Sequence, residues 1–315
     1  MKTRRIIGDI IVYLLLIVLC TAWILPIVWL ILQSFSGMAG SGSYTKFVPT
    51  QLSFNNYIGL FTNQYPIYER IDGLDVLKSW GISNYVFFFK VGANGTYHMG
   101  AFLNTLIVAI FTSVASTLLT LATAYAFSRF RFKARPVMMR IILILGMFPG
   151  FLSLIVLYQV FKAAGLVQNI WALIIVYSGG AGMNYYISKG FFDTISKQID
   201  EAAMVDGASR FQIFYKITMP LSKPIIVYTI LTSFMSPWGE YITAKYLLGG
   251  SKDGGSNWTV AVMLKDMLKV TDGTLGKYWG EFCAGAVVVA VPVAIVFMCM
   301  QKNYVSGVTG GAVKG

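Results

Sequence analysis

Glu201 and Asp206 are the only charged residues in the first seven positions of EAAMVDGASRFQIFYKITMP (201–220). Two carboxylates on one short helix suit recognition, because each can accept charge-assisted hydrogen bonds from a cationic partner. Ile199, Ala202, Ala203 and Asp206 recur at i, i+3, i+4, i+7 and share one helical face. Ala202 and Ala203 make that face smooth enough for another backbone to approach. Gly207 suits a left-handed stop and a sharp turn. Beyond it Ala208, Phe211, Phe214 and Tyr215 form a second apolar stripe, flanked by Arg210 and Lys216. Pro220 and Pro224 end that stripe. The expected product is a helix–turn–helix carrying acids and aromatic knobs. It is either an amphipathic element resting on lipid headgroups or a docking element for another protein. The two acids favour docking, since an anionic leaflet repels carboxylates.

Little else in the chain could do chemistry. The single histidine, His98, has no cysteine or suitable acid near it in sequence, and no metal-binding spacing or GxxxxGK[ST] phosphate loop is present. Cys20, Cys283 and Cys299 all fall in apolar runs and read as buried, inert thiols. The last two lie about 24 Å apart along one helix, too far for a disulfide. Asn94-Gly95-Thr96 fits a turn as well as a glycosylation sequon. Glu240 is an acid near the outer end of an apolar run, facing either a cavity or the interface. Trp238 and Tyr241 beside it could stack on a sugar or belong to an interfacial aromatic belt. These three are the candidate substrate-pathway residues.

The elements that must position these residues are membrane helices. Of 315 residues 56% are hydrophobic and 12% charged, with a mean hydropathy of +0.66, whereas soluble domains carry about 25% charged residues. Six runs are long enough to cross a hydrocarbon core as helices: about 10–33, 102–127, 138–160, 168–190, 224–246 and 280–301. Their apolar residues are continuous rather than alternating, which points to an all-α polytopic fold and away from a β-barrel. The first run is too long for a signal-peptide core and Gly37-Met38-Ala39-Gly40 is a poor cleavage site, so it reads as a retained span kinked at Pro26.

Charge sets the orientation. With the N-terminus inside, 15 of the 25 Lys and Arg and 5 of the 13 Asp and Glu fall on inner segments, for a net +10 inside against +2 outside. That is the positive-inside pattern, most concentrated in SRFRFKAR (128–135). The excess of +12 is therefore a topology signal, and nucleic acid is set aside as a partner. The expected organisation is a cytoplasmic 1–9, a first span, an extracytoplasmic 34–101, a core of five spans over 102–302, and a cytoplasmic tail 303–315. The 195–222 loop then lies in the cytoplasm. Aromatic residues crowd the outer segment, which reads as a small packed cap, either self-contained or contacting a partner.

The run EAA-x-x-DGA-S, with I-T-M-P following, resembles the EAA loop of ABC-importer permeases. LSFNNYIGLF (52–61), FLNTLIVA (102–109), AYAFSRFRFK (124–133), MFPGFLSLIVLYQVFKAAGLVQN (147–169), PWGEY (237–241) and GAVKG (311–315) are similar to the carbohydrate branch, in particular to the smaller, second permease subunit of maltose-type transporters. Ser196 departs from the pattern, where a proline is common. The resemblance implies a non-catalytic permease of a bacterial-type cell membrane, with no cofactor of its own. It implies that Glu201, Ala202, Ala203, Asp206, Gly207, Phe211 and Phe214 couple to a separate, paired ATPase holding ATP and Mg. It further implies a second, different permease subunit and an extracytoplasmic solute-binding protein, with sugar or oligosaccharide as cargo. The GAVKG tail is then either an arm toward the ATPase or a frayed terminus. Within such importers amino acids, peptides or phosphonates are the alternative cargo, and the more distant rival, an ion-coupled secondary transporter, would favour inverted repeats and midplane acids. Neither is visible.

Overall fold

The computed structural model describes residues 2–37, 46–71, 74–91, 97–147, 150–180, 182–249, 257–269 and 278–309. Met38, Ala39 and Gly40, the Asn94-Gly95-Thr96 turn and the GAVKG tail lie outside them. Among the described residues the chain is predominantly helical, as its continuous apolar runs require, but it is not all-α. In the expected outer segment, β1 (Gln64–Ile71) and β2 (Leu74–Ile82) pair antiparallel, from Gln64 opposite Ile82 to Ile71 opposite Leu74, with an irregularity between Ile67 and Tyr68. Short strands β3 (Phe89–Val91) and β4 (Tyr97–Met99), the second carrying His98, form another two-stranded sheet. Tyr65, Ile67, Tyr68, Ile71, Val76, Trp80 and Ile82 recur along the first hairpin, and such residues fit a pleated surface better than a helix.

Among the described residues three helices are individually long and apolar enough to cross a membrane: Gly8–Ser34 within α1 (Lys2–Ser34), α3 (Ala101–Arg129), and Trp279–Gln301 within α14 (Trp279–Thr309). α1 runs through Pro26 without a break. The other three expected spans are interrupted. The third divides into α4 (Arg135–Met147) and α5 (Gly150–Ala163), with Arg135–Met147 and Leu152–Ala163 inclined at 102°. The fourth divides at Gly179-Gly180 into α6 (Ile170–Gly179) and α7 (Gly182–Thr194), two adjacent glycines being poor helix formers. The fifth divides at Glu240-Tyr241 into α11 (Lys223–Gly239) and α12 (Ile242–Leu248). Hydropathy sums composition over a window and does not register such breaks.

The chain forms two compact units, 1–90 with 264–290, and 91–263 with 291–315. In the first, α2 (Asn55–Thr62) places buried Asn56 so that its Nδ2 donates to Ser34 O (3.0 Å) and Ser36 O (2.9 Å). The aromatic cap packs partly upon itself and partly on Asp266 and Tyr278, later in the chain. Tyr65 and Tyr85 each meet the Tyr278 ring edge-on, Phe61 stacks on Phe88, and Tyr85 Oη donates to Asp266 Oδ2 at 3.2 Å. Burial and the neighbouring Asp266 carboxylate push the Tyr85 phenol well above its ordinary value.

In the second unit α3 packs against α6, α7 and α11. Its buried face is rich in small polar residues, including Thr112, Ser116, Thr117 and Thr120, with Ser116 Oγ 3.1 Å from Ser233 Oγ of α11. Small residues allow the close backbone approach on which helix association in lipid depends. Asn104 Nδ2 donates to Trp258 O at 3.0 Å, and Val260 N to Thr105 Oγ1 at 2.8 Å, tying α13 (Val260–Met267) to the start of α3. All three cysteines are free, but only Cys283 is buried; Cys20 and Cys299 lie on the exposed faces of α1 and α14, which corrects the expectation for them. Exposed thiols follow from helices whose apolar faces point away from the chain.

Candidate functional site

The 195–222 loop folds as a helix, a turn and a second helix, and each junction has an identifiable cause. Ser196 starts α8 (Lys197–Val205) as its N-cap, Oγ accepting from Gln198 N at 3.3 Å. Gly207 ends it at φ +84°, with Gly207 N donating to Met204 O (3.1 Å) and Ala208 N to Ala203 O (2.9 Å). These two bonds make a Schellman stop, which requires the left-handed conformation that glycine adopts without penalty. Ser209 and Gln212 then form a reciprocal capping box that opens α9 (Arg210–Gln212). That helix relaxes into a π-turn over Ile213–Thr218, where Met219 N donates to Phe214 O, and continues as α10 (Met219–Leu221). Arg210–Leu221 meets Lys223–Gly239 at 82°, with Pro224 at the start of α11.

The loop is held to the C-terminal end of α3. Arg129 Nε lies 2.7 Å from Asp200 Oδ2, the two side chains being 5% and 11% exposed. The contact is an ion pair rather than an aligned hydrogen bond, and Arg129 Nη2 also donates to Ile195 O at 3.1 Å. One residue earlier, Ser128 Oγ donates to Asp193 Oδ1 at 2.6 Å, and Lys189 pairs with the other oxygen of that carboxylate. Burial alone would raise the Asp193 carboxyl, but the bonds from Lys189 and Ser128 outweigh it and hold it below its ordinary value. Phe214 packs on Tyr125 with ring centroids 4.7 Å apart, and the Arg210 guanidinium sits 5.1 Å from the Phe130 ring centre. A cavity of about 140 Å³ between these elements is lined by Tyr125, Arg129, Phe130, Asp200, Glu201 and Arg210, among others.

The expected residues divide between two faces. Glu201, Ala202, Asp206 and Gly207 are exposed, Ala203 and Phe214 are half-buried, and Phe211 points outward. The face Ile199, Ala202, Ala203, Asp206 is therefore not the one α8 buries. Asp200 is buried instead, drawn inward by Arg129. The second stripe splits as well. Ile213 and Thr218 are buried, whereas Phe211 is 75% and Tyr215 67% exposed, and Val205 on α8 is 87% exposed. The loop thus presents large apolar side chains and free carboxylates on its open side while its inner side is anchored.

Ser128, Arg129, Asp193 and Asp200 also belong to this site, and their signal in the sequence is weak: Arg129, Asp193 and Asp200 read only as inner charges that set orientation, and Ser128 carries no pattern of its own.

The second candidate group sits where α11 breaks. Glu240 Oε1 accepts from Thr243 N (3.0 Å), while Oε2 accepts from Ala244 N (3.2 Å) and Tyr177 Oη (2.7 Å). A half-buried carboxylate here caps α12 and satisfies N–H groups that its first turn leaves open. Trp238 is 5% exposed, packed edge-on against Phe102 and tilted against Phe234. Tyr241 is half-buried. Among the described residues no three His, Cys, Asp or Glu gather as a metal site.

Comparison with known proteins bears on both groups. Residues 116–310 match the family described as binding-protein-dependent transport system inner membrane component. The galactooligosaccharides transport system permease protein GanQ of Bacillus subtilis (strain 168) is 32% identical over 100% of this chain and 99% of its own length. The maltodextrin transport system permease protein MalD of Streptococcus pneumoniae (strain ATCC BAA-255 / R6) is 33% identical over 100% and 98%. In fold the chain is similar to a chain in the crystal structure of a bacterial ABC transporter involved in the import of the acidic polysaccharide alginate. The TM-score is 0.69 at 23% identity, covering 96% of this chain and 98% of that one. A match over most of the chain, with full-length relatives above 30% identity, identifies it: the protein belongs to the binding-protein-dependent transport system inner membrane components, as a non-catalytic permease subunit of an ABC importer in the bacterial cytoplasmic membrane.

Proposed function

We propose that this chain forms half of a sugar or oligosaccharide translocation pathway and is driven through its 195–222 loop by a separate ATPase. The observation that carries the proposal is the loop's open side. Val205, Phe211 and Tyr215 are exposed beside the carboxylates of Glu201 and Asp206, on an element otherwise capped and anchored. Large apolar groups rimmed by charge on a firmly held surface are suited to a protein partner. Glu201, Ala202, Ala203, Asp206, Gly207 and Phe211 would form the docking face, with Phe214 setting its angle from behind. ATP and Mg would be bound by the ATPase, whose closure on ATP moves the docked loop between two positions.

The assembly proposed is heteromeric: a second, different permease, two ATPase copies and an extracytoplasmic binding protein. Sugar as cargo is supported by the names of the relatives, which transport galactooligosaccharides and maltodextrin. The six-span arrangement keeps α1, α3 and α14 as single spans and counts the broken pairs as the other three, with both termini and the loop cytoplasmic. Glu240, Tyr241 and, behind them, Trp238 are proposed to flank the pathway, because broken helices place backbone dipole ends near transported solutes.

The deciding experiment is Glu201→Lys in the reconstituted complex. Reversing the charge at a docked interface replaces an attraction by a repulsion and costs several kcal/mol of coupling on the order seen for close charge pairs. ATPase co-purification and labelled-oligosaccharide uptake should both fall, while insertion of the permease is unchanged. If the loop instead rests on anionic headgroups, the variant binds lipid better and transports normally. Normal assembly with normal uptake would sink the docking proposal.

A further inference from the structure

The Arg129–Asp200 pair is buried, lies outside the exposed docking face and joins the loop to the helix at the centre of its unit. We propose that this pair is the positioning element through which displacement of the 195–222 loop reaches α3; the proposal rests on the reading of that loop as the ATPase-coupling element. Three observations support it. The first is location: Arg129 is in the last turn of α3, and Asp200 directly precedes Glu201, so the pair connects the docking face to the membrane helix without intermediate residues. α3 spans about 43 Å at 1.5 Å per residue and packs against α6, α7 and α11, so a push at its end is delivered to most of the unit.

The second is redundancy of the joint. Arg129 also holds Ile195 O, and Ser128 holds Asp193, so both ends of the 193–200 segment are fixed to the last two residues of α3. The third is energetic. Arg129 Nη1 and Asp200 Oδ1 are buried and make no hydrogen bond among the described residues, so the ion pair itself is their main contact. A buried ion pair of that kind adds little net stability over well-packed apolar residues, yet loss of one partner is severe because the other charge is left stranded. Its value here is positional: the loop helix has one registered seat on α3, and leaving it strands a charge. An apolar contact would allow sliding.

The test compares Asp200→Asn, Asp200→Glu and Glu201→Lys in the permease reconstituted with its partner subunits. Asp200→Asn keeps the side-chain shape and the exposed docking face. It should still co-purify with the ATPase and hydrolyse ATP within about twofold of the parent, while substrate transported per ATP falls at least tenfold. Asp200→Glu, which restores the charge, should recover the ratio to within about threefold. Amide hydrogen exchange on the solubilised full-length chain gives a readout that needs no assembly. In Asp200→Asn the 197–205 amides should exchange at least tenfold faster, with those of α11 unchanged. Wild-type transport per ATP, or unchanged exchange over 197–205, overturns the positioning role. Should Asp200→Asn behave normally while Glu201→Lys is defective, only this inference falls. Should Glu201→Lys also transport normally, the coupling loop itself has been misassigned.

Discussion

A β-carbon added at Gly207 would meet no atom within 4 Å, yet the residue sits at φ +84°. Substitution here therefore isolates backbone conformation from packing. For an ordinary L-residue the left-handed region costs roughly 1–2 kcal/mol, less for asparagine, and more for a β-branched side chain. With each 1.4 kcal/mol worth tenfold, alanine should lower the population of the closed turn by a factor of about 5 to 30, and valine by more. Opening the turn gives up the Gly207 N to Met204 O and Ala208 N to Ala203 O bonds and re-aims the helix carrying Phe211 and Tyr215. Sugar uptake by the reconstituted complex should then rank glycine, asparagine, alanine, valine, with Gly207→Val down at least tenfold. Insertion should be unaffected, because the site is exposed. Gly207→Val matching Gly207→Asn in uptake and ATPase binding would refute the reasoning, since volume alone has nothing here to strike.

Two further predictions follow from other parts of the chain. In a background lacking the native cysteines, Arg210→Cys should be protected from an impermeant thiol reagent in intact cells and Arg70→Cys should be labelled; the opposite pattern would reverse the orientation drawn from the +10 to +2 charge split. Gly280→Ala would place a Cβ 2.3 Å from Asn56 Oδ1 and displace the amide that bonds Ser34 O and Ser36 O. Two buried bonds at about 1 kcal/mol each, plus groups left unsatisfied, give a loss on the order of 2–4 kcal/mol, so thermal unfolding of the solubilised protein unchanged by the substitution would count against this packing.

Much of this protein was legible because membranes simplify the code. Continuous apolar runs had to become helices, since backbone polar groups in lipid have no other partner. The loop's turn was legible for a similar reason: a glycine between two helical stripes is local chemistry, and the structure keeps Gly207 left-handed. One local signal went unread. Asp72-Gly73 between QYPIYERI and LDVLKSWGI is a hairpin signature, and the expected all-α fold overlooked the β1–β2 hairpin around it. Other features depended on contacts that no local pattern contains. Helical periodicity grouped Ala202 and Ala203 on one face but did not say which face α8 buries; that was decided by Arg129, 71 residues away, because an unpaired buried charge costs more than an exposed alanine face. Glu240 looked like a pathway acid from its position alone. Only the fold brought Tyr177 and the open N–H groups of α12 to its carboxylate. Spacing along the chain fixes what is near in sequence; which distant charge is within 3 Å is settled by packing.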